Sequence, residues 1–253
     1  MIDNPVTLSI LLPVRNEVLN LRVMLRILNA ALVVPHEILV IFDDEKDTSI
    51  AVVEEARLSF PGVRPVLNTM GKNVAYAIRA GVADAKGERI LLFAADEVGP
   101  VLAIDDMLAL MDEGAEFVSA TRYAHGGRRL GGSIAGHALS RLANWLLIHA
   151  SGTGLSDSTT GIKMFRRADF EALSRGAKSV GWAIAFEMAI SAHLLGLKLG
   201  EVPIISIDRL FGGQSTFRLI PWVLGYFGYF ATAMTKLPRN KRPAVSIRIP
   251  AGT

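Results

Sequence analysis

The chain has 253 residues, 51% of them hydrophobic and 20% charged, which allows one large domain or two small ones and excludes a disordered protein outside the tail. Its net charge of +3 is too small to indicate a nucleic-acid partner, and the lack of Cys excludes disulfides, thiolate metal sites and Cys nucleophiles. The N-terminal segment lacks the basic region of a signal peptide, and its apolar run ends at Pro13. We therefore expect a globular protein in the cytoplasm.

The first half of the chain alternates predicted strands and helices. Continuous apolar runs are typical of strands buried on both faces, and apolar residues at helical spacing indicate the helices between them. The predicted strands are 6–12, 36–42, 64–68, 89–93 and 116–120, and the predicted helices are 21–32, 47–58, 72–85 and 101–113. This order predicts an α/β fold with a mostly parallel, Rossmann-like sheet and helices on both faces.

The second half is less regular. It contains a basic, Gly-rich loop at 122–132, followed by predicted helices at 134–150 and 184–196 and predicted strands at 161–167 and 198–207.

The segment 219–235 contains 17 residues without a charge, rich in aromatic side chains, and a basic cluster follows it. This length is the lower limit for crossing a bilayer, and aromatic and basic residues favour its interface. An interfacial helix, a buried core helix and a spanning helix all remain open. We expect a main domain over 1–218 and a C-terminal apolar helix with a basic tail over 219–253.

Charged residues follow several predicted strands of the first half. The first strand ends in PVRNE, the second in FDDEKD and the fourth in AADE, while Gly71 and Lys72 open a helix. Clustered carboxylates favour a divalent cation, and a lysine near a helix N-terminus favours phosphate, so a nucleoside diphosphate would satisfy both. The sequence lacks the GxGxxG dinucleotide signature and a Walker loop. Whether Asp96 and Glu97 bind a metal or only begin a loop remains open at this point.

Six motifs, in order, resemble those of the family-2 glycosyltransferases of the GT-A fold, and most closely those of polyprenyl- (dolichyl-) phosphate sugar transferases. The resemblance covers about residues 6–220. The motifs are PVRNE, DDEKDTS, the stretch from NTMGKN to AADE, SATRY, LSRLAN with SDSTTGIKMFRR, and EVPIISIDRLFGGQSTFRL.

The resemblance implies three groups of site residues. Asp96, aided by Glu97, would ligate Mg²⁺ or Mn²⁺, and Arg209 would hold phosphate charge, so Asp96 and Arg209 are the catalytic candidates. The nucleotide and donor sugar would be bound by Pro13, Arg15, Glu17, Asp43, Gly71 and Lys72. The acceptor side would contain Arg122, Arg128, Arg129, Arg141, Asp157 and Thr160.

The sequence also departs from the family pattern. Arg15 replaces an aromatic residue, Phe42 replaces the first Asp of an acidic pair, and Ala94 replaces the first Asp of the DxD motif. Val98 stands where a Gln ligand is frequent. Because Mg²⁺ can be held by one or two carboxylates when substrate phosphates complete its shell, these changes predict weakened metal binding rather than its loss.

The resemblance implies an inverting transfer from a nucleotide sugar to a polyprenyl phosphate, by a protein in peripheral contact with the inner face of the membrane. A phosphate acceptor is already ionised and needs no general base. A glycan or glycolipid hydroxyl is the alternative acceptor, and it would need a base, for which Asp157 is the candidate. A third alternative is a degenerate subunit that binds nucleotide sugars without catalysis. No nucleic-acid partner is expected.

Overall fold

The computed structural model describes residues 6–131, 134–176, 181–207, 219–237 and 243–250. The strands are β1 Leu8–Pro13, β2 His36–Phe42, β3 Val63–Leu67, β4 Arg89–Leu92, β5 Phe117–Thr121, β6 Arg128–Leu130, β7 Lys163–Arg166, β8 Leu199–Pro203, β9 Ile205–Ile207 and β10 Val245–Ile247. The helices are α1 Val18–Ala31, α2 Ile50–Arg57, α3 Val74–Asp84, α4 Ile104–Asp112, α5 Ile134–Leu146, α6 Phe170–Leu173, α7 Ala183–Leu194 and α8 Leu219–Lys236.

Eight strands form one sheet in the order β10-β8-β5-β7-β4-β1-β2-β3. Only β7 runs antiparallel to its neighbours, β4 and β5, in this sheet. The predicted α/β fold with a mostly parallel sheet is therefore confirmed. Strands β6 and β9 form a separate parallel pair.

Two apolar cores cover the two faces of the sheet. Along β1, Ile10 and Leu12 pack into one core with α1, α2 and α4, whereas Leu11 packs into the other with α3, α6 and α7. This alternation follows from the two-residue period of a strand. Helices cover the sheet on both faces, as predicted. Because the strands are therefore buried on both sides, their sequences are almost continuously apolar.

The predicted strand at 198–207 is wrong as a single element. It divides at Pro203 into β8, which lies in the main sheet, and β9, which pairs with β6. The Ile204 N–H still donates to the carbonyl of Thr121 in β5 (2.9 Å), which is the last ladder bond of β8. The Ile204 carbonyl then accepts from the Arg128 N–H (2.9 Å), so the pairing with β6 begins at the same residue. The division carries the chain from the main sheet to the small one.

The C-terminal segment returns to the main sheet. Strand β10 pairs in parallel with β8, and the Arg248 guanidinium contacts Asp106 of α4 and Glu113, which directly follows α4, at 2.8 Å each. Helix α8 packs through Ala233 against the region after α5 and against α7. No helix in the described ranges has the length and apolar character needed to cross a membrane.

Candidate active site

Three predicted site residues follow parallel strands at one edge of the sheet. Pro13 ends β1, Asp43 follows β2, and Asp96 lies four residues after β4. Strand β1 lies between β2 and β4 and runs parallel to both, so all three residues lie at the carboxyl edge. Open α/β sheets bind their ligands at this edge.

A cleft of about 330 Å³ opens beside Asp43. Its lining residues are Asp43, Asp44, Glu45, Lys46, Leu67, Asn68 and Lys72. The Lys72 side chain is 81% exposed, and its Nζ lies 4.0 Å from Asp44, so the ammonium group reaches over the cleft with only a loose partner there. The structure therefore brings the predicted donor residues Asp43 and Lys72 to one cavity.

Asn68 organises this cleft, although the sequence analysis did not single it out. Its Nδ2 donates to Asp43 Oδ1 (2.6 Å) and to the carbonyl of Gly71 (2.5 Å), and its Oδ1 accepts from the Met70 N–H (3.0 Å). One buried side chain thus fixes both the Asp43 carboxylate and the turn that carries Lys72. The only sequence signal was a polar residue at the end of a predicted strand.

The backbone at Gly71 has no room for a side chain. Its φ is 146°, and a Cβ would lie 2.8 Å from a ring carbon of Tyr76. Two residues later, Asn73 caps α3 by accepting a hydrogen bond from the Tyr76 N–H (3.0 Å). Lys72 therefore immediately precedes a capped helix N-terminus, which itself favours anionic groups.

The PVRNE turn is held by two residues of the segment that directly precedes α2. Asn16 has a φ of 55°, and its N–H donates to both carboxylate oxygens of Asp47 (3.1 and 3.0 Å). The Glu17 N–H donates to Ser49 Oγ (2.8 Å), and the Glu17 carboxylate accepts from Asn20 (2.8 Å). Arg15 is exposed on this turn. Asp47, expected to begin a helix, anchors the turn, and Ser49 is the N-cap residue of α2.

We expect Asn68→Asp to weaken nucleoside diphosphate binding by about tenfold or more. The substitution places a second carboxylate beside Asp43, which repels both that group and the phosphates, and it removes the donor that holds Gly71. Titration of UDP and GDP into both proteins measures the change. Asn73→Asp is the matched control, because it also adds a carboxylate but can still cap α3. Equal losses in the two variants would contradict a specific role for Asn68.

The loop after β4 contains the two candidate metal ligands. Asp96 and Glu97 are both partly buried, and the Ser206 hydroxyl of β9 donates to Glu97 Oε1. At Gly99 a Cβ would lie 1.7 Å from the carbonyl oxygen of Ile205, so β9 packs directly on this loop. The candidate metal loop is thereby joined to the small β6–β9 sheet.

The chemistry of this loop fits a hard divalent cation. Asp96 and Glu97 supply carboxylate oxygens, which are the donors that Mg²⁺ and Mn²⁺ take up. Within the described residues, no cluster of three or more His, Asp or Glu side chains is arranged to hold a metal. An ion at this position would therefore also need oxygen ligands from water or from a substrate.

On the acceptor side, Arg122 and Asp157 form a buried ion pair. Arg122 Nε lies 2.7 Å and Nη2 3.0 Å from the two Asp157 oxygens, and the arginine side chain is 11% exposed. Burial alone would raise the pKa of Asp157, but the charge and hydrogen bonds of Arg122 outweigh it and lower that pKa to about 2. The structure therefore argues against Asp157 as a general base, because its carboxylate is fully buried and a very weak proton acceptor.

The other acceptor-side candidates are a buried threonine, which supports the turn after Asp157, and arginines near Tyr123 or on β6. Thr160 is buried in the turn after Asp157, where its N–H donates to Asp157 Oδ1 (3.2 Å), so its contacts hold the turn together. Arg141 lies over the Tyr123 ring (5.8 Å to the centroid), and Arg122 lies over the same ring at 5.1 Å. Arg128, which is exposed, and Arg129, which is partly buried, lie on β6. Arg209 lies outside the described residues.

A buried lysine and glutamate support this turn, and the sequence analysis missed both. Burial lowers the pKa of Lys163 to about 7, and its Nζ donates to Ser119 Oγ (2.6 Å). Burial raises the pKa of Glu201 to about 7, and its Oε1 accepts from the N–H groups of Ser156 (2.7 Å) and Asp157 (3.2 Å). The only feature of the sequence that could have identified them is a charged residue inside a predicted apolar strand.

Comparisons with known proteins identify a matching family and several relatives. The family model for glycosyl transferase family 2 matches residues 9–174. A dolichol-phosphate mannosyltransferase of Mycosarcoma maydis is 24% identical over 213 residues, which are 77% of this chain and 68% of that protein. An undecaprenyl-phosphate 4-deoxy-4-formamido-L-arabinose transferase of Klebsiella pneumoniae is 27% identical over 219 residues, which are 84% of this chain and 64% of that protein. The chain thus spans about two thirds of the length of these relatives.

A solved structure shares the fold. Glucosyl-3-phosphoglycerate synthase from Mycobacterium tuberculosis, in complex with Mn²⁺, UDP and glucosyl-3-phosphoglycerate, superposes with a TM-score of 0.69 at 15% identity, covering 92% of this chain and 81% of that one. The same protein with Mg²⁺ and UDP gives a TM-score of 0.65. These likenesses confirm the GT-A fold, and the family match covers well over half of the residues. The chain belongs to glycosyl transferase family 2.

Proposed function

We propose that the protein is an inverting glycosyltransferase that moves a sugar from a nucleotide-sugar donor to a polyprenyl phosphate. The observation that carries the choice of acceptor is the charge of the acceptor side. Arg128 and Arg141 are exposed there, whereas the carboxylate of Asp157 is buried and paired. This arrangement suits an anionic acceptor and is poor for deprotonating a hydroxyl. The relatives named for dolichol phosphate and undecaprenyl phosphate support the same choice.

The donor would bind along the carboxyl edge of the sheet. Asp43, held by Asn68, would meet the nucleoside, with Pro13, Arg15 and Glu17 beside it, and Lys72 would reach the diphosphate from the start of α3. The solved neighbour binds UDP with Mn²⁺ or Mg²⁺, and Asp96, aided by Glu97, supplies oxygen donors for such an ion. When bound, the ion would stabilise negative charge on the diphosphate.

The reaction would be a single displacement at the anomeric carbon. An ionised oxygen of the lipid phosphate forms the new bond to this carbon, and the bond to the donor diphosphate breaks, which inverts the configuration. The bonding electrons leave with the nucleoside diphosphate. Lys72, and Arg209 outside the described residues, would stabilise the charge that develops there. No proton has to be removed, because the phosphate nucleophile is already ionised at neutral pH.

The acceptor implies a position at the inner face of the membrane. Part of this peripheral contact would come from residues 219–242, which combine an apolar, aromatic segment with Lys236, Arg239, Lys241 and Arg242. The chain would then be a peripheral enzyme that meets its lipid acceptor in the bilayer and its nucleotide sugar in the aqueous phase.

Transfer to a hydroxyl is the second candidate. It is supported by the solved neighbour, which is named for a phosphoglycerate acceptor rather than a lipid phosphate. A base other than Asp157 would then be needed, because that carboxylate is buried and has a pKa of about 2.

The test is transfer of label from a panel of nucleotide sugars to polyprenyl phosphate dispersed in detergent. The proposal predicts a lipid product that releases its sugar in mild acid, since a glycosyl phosphate is acid-labile. The control acceptor is the same polyprenol without its phosphate group, and the proposal predicts that it receives no sugar. A product stable to mild acid, or equal reaction with the polyprenol, would support the hydroxyl acceptor. Binding of nucleotide sugar without any transfer would indicate a degenerate subunit.

A further inference from the structure

Helix α5 is amphipathic, but its polar side points into the protein. Ser140 Oγ lies 2.8 Å from Thr159 Oγ1, and Asn144 Nδ2 donates to Asp157 Oδ1 (3.2 Å) and to Thr159 Oγ1 (3.0 Å). A helix at the surface of a domain in water normally buries its apolar side instead. The polar contacts of α5 are therefore directed at the acceptor-side turn.

The opposite side of α5 presents apolar residues to the outside. Ile134 is 89% exposed and Trp145 is 55% exposed, and Leu142 lies between them on the same side, with Leu139 at its margin. The exposed face of α5 is defined here by these four residues. Single exposed apolar residues are common on proteins, but a stripe along three turns of one helix indicates a contact surface.

Helix α8 also exposes an apolar side chain. Its Ala233 belongs to one apolar cluster with Leu147, the residue directly after α5, and with Phe186 of α7. Six residues earlier on α8, the Phe227 side chain is strongly exposed. The segment that is proposed to meet the membrane therefore also exposes an aromatic side chain.

The charged residues in the stretch of sequence around α5 have a single sign. No Asp or Glu occurs between Glu116 and Asp157, a stretch that includes all of α5. The stretch does contain basic side chains and histidines, which are Arg122, His125, Arg128, Arg129, His137, Arg141 and His149. An apolar surface in a stretch that also exposes Arg128 and Arg141, with Trp at its edge, matches the interface of an anionic bilayer.

We infer that the exposed face of α5 docks onto an anionic lipid bilayer. A second copy of the chain is the other obvious occupant, but a symmetric dimer through this face would bring two cationic stretches together. An anionic bilayer instead complements both the apolar stripe and the charge around it. The inference rests on the proposed function and names the surface that would bring the acceptor side to its lipid.

Docking through α5 would place the acceptor side next to the headgroups. The side of α5 opposite its exposed face contacts the turn that contains Asp157 and Thr159, to which Arg122 is bound. One helix therefore separates the bilayer from this turn. A lipid phosphate could then approach the arginines of the acceptor side without leaving the membrane surface.

The first experiment uses the lack of native Cys. A single cysteine is introduced by Leu142→Cys and labelled with a fluorophore that responds to polarity, and Leu58→Cys is the matched control at a site that is 88% exposed at the end of α2. Vesicles containing phosphatidylglycerol should shift the fluorescence emission of the Leu142→Cys label to shorter wavelength and raise its intensity. The control label should not change, and vesicles of phosphatidylcholine alone should have a weaker effect. If vesicles left the emission of the label at position 142 unchanged, the inference would be overturned.

The second experiment measures vesicle partitioning by sedimentation. Leu142→Asp should lower partitioning by at least about tenfold, because it replaces a side chain buried in the interface with a charge, whereas Leu58→Asp should leave it unchanged. Equal partitioning of the two variants would overturn the inference. A change of oligomeric state in Leu142→Asp, at constant partitioning, would assign the face to a second copy instead.

A third measurement separates this inference from the proposed function. Transfer to a short-chain, water-soluble prenyl phosphate needs no bilayer, so Leu142→Asp should retain it while losing transfer to acceptor embedded in vesicles. If the wild-type chain transfers to no lipid phosphate but its partitioning depends on Leu142, the proposed function fails and the docking surface stands. If Leu142→Asp transfers equally well to both acceptors, the docking surface fails.

Discussion

Arg122→Met should lower the free energy of unfolding by about 3–5 kcal/mol, because it leaves a carboxylate buried without its cation. The Asp157 side chain is fully buried, and Arg122 satisfies both of its oxygens at 2.7 and 3.0 Å. Arg122 Nη2 also donates to Thr159 Oγ1 (3.0 Å), so the loss extends to the following turn. Urea denaturation of both proteins measures the difference.

An exposed ion pair provides the matched control. Arg22 and Glu55 approach to 2.8 Å, yet both side chains are about half exposed. Arg22→Met should therefore cost no more than about 1 kcal/mol, as exposed pairs generally do. The double variant Arg122→Met with Asp157→Leu should be more stable than Arg122→Met alone, since it removes the stranded charge. Similar losses for Arg22→Met and Arg122→Met would contradict the argument.

The pH dependence gives a further readout of the same pair. In the wild-type protein the pKa of Asp157 is lowered from 3.8 to about 2. The stabilisation that the ionised carboxylate contributes is therefore fully present above pH 3.8 and is lost as the pH falls to about 2. Without Arg122, burial becomes the main influence and raises that pKa. The stability difference between the two proteins should therefore shrink as the pH is lowered from about 7 to about 4.

The sequence predicted the parallel half of the fold well because burial on both faces leaves a strong local pattern. It did not predict that β7 runs antiparallel between β4 and β5, since strand order and direction are tertiary properties. Strand β10 was expected to be part of a basic tail. Its three residues are too few to show a period, and they form a strand because β8 offers them a free edge.

The candidate site was partly predictable for the same reason. Asp43 and Lys72 follow recognisable elements, so their approach at one edge could be anticipated. The bond from Asn68 to Asp43 spans 25 residues and has no local signature. Lys163 and Glu201 likewise lie in strands, where sequence rules expect apolar side chains, and only the packed turn around Asp157 explains their presence.

A large effect on ligand binding is also expected in Asp96→Asn, which should lose the cooperation between Mn²⁺ and UDP. Asp96 follows β4 at the edge where Asp43 and Lys72 meet, and Ala94 replaces a carboxylate that the family pattern places two residues earlier. With few protein ligands, Mn²⁺ should bind weakly alone and much more tightly once the nucleotide supplies phosphate oxygens. Binding of each ligand should therefore strengthen binding of the other by the same factor.

Calorimetric titration of Mn²⁺ with and without UDP measures this factor directly. We expect Asp96→Asn to reduce the Mn²⁺ affinity of the UDP complex by at least about tenfold, because even residues that only support metal ligands commonly contribute that much. Asp105→Asn on α4 is the matched control, since it removes one exposed carboxylate and changes the net charge equally. If the coupling were equal in wild type and Asp96→Asn, the AADE segment would only begin a loop, and Lys72 with the arginines would have to balance the diphosphate charge alone.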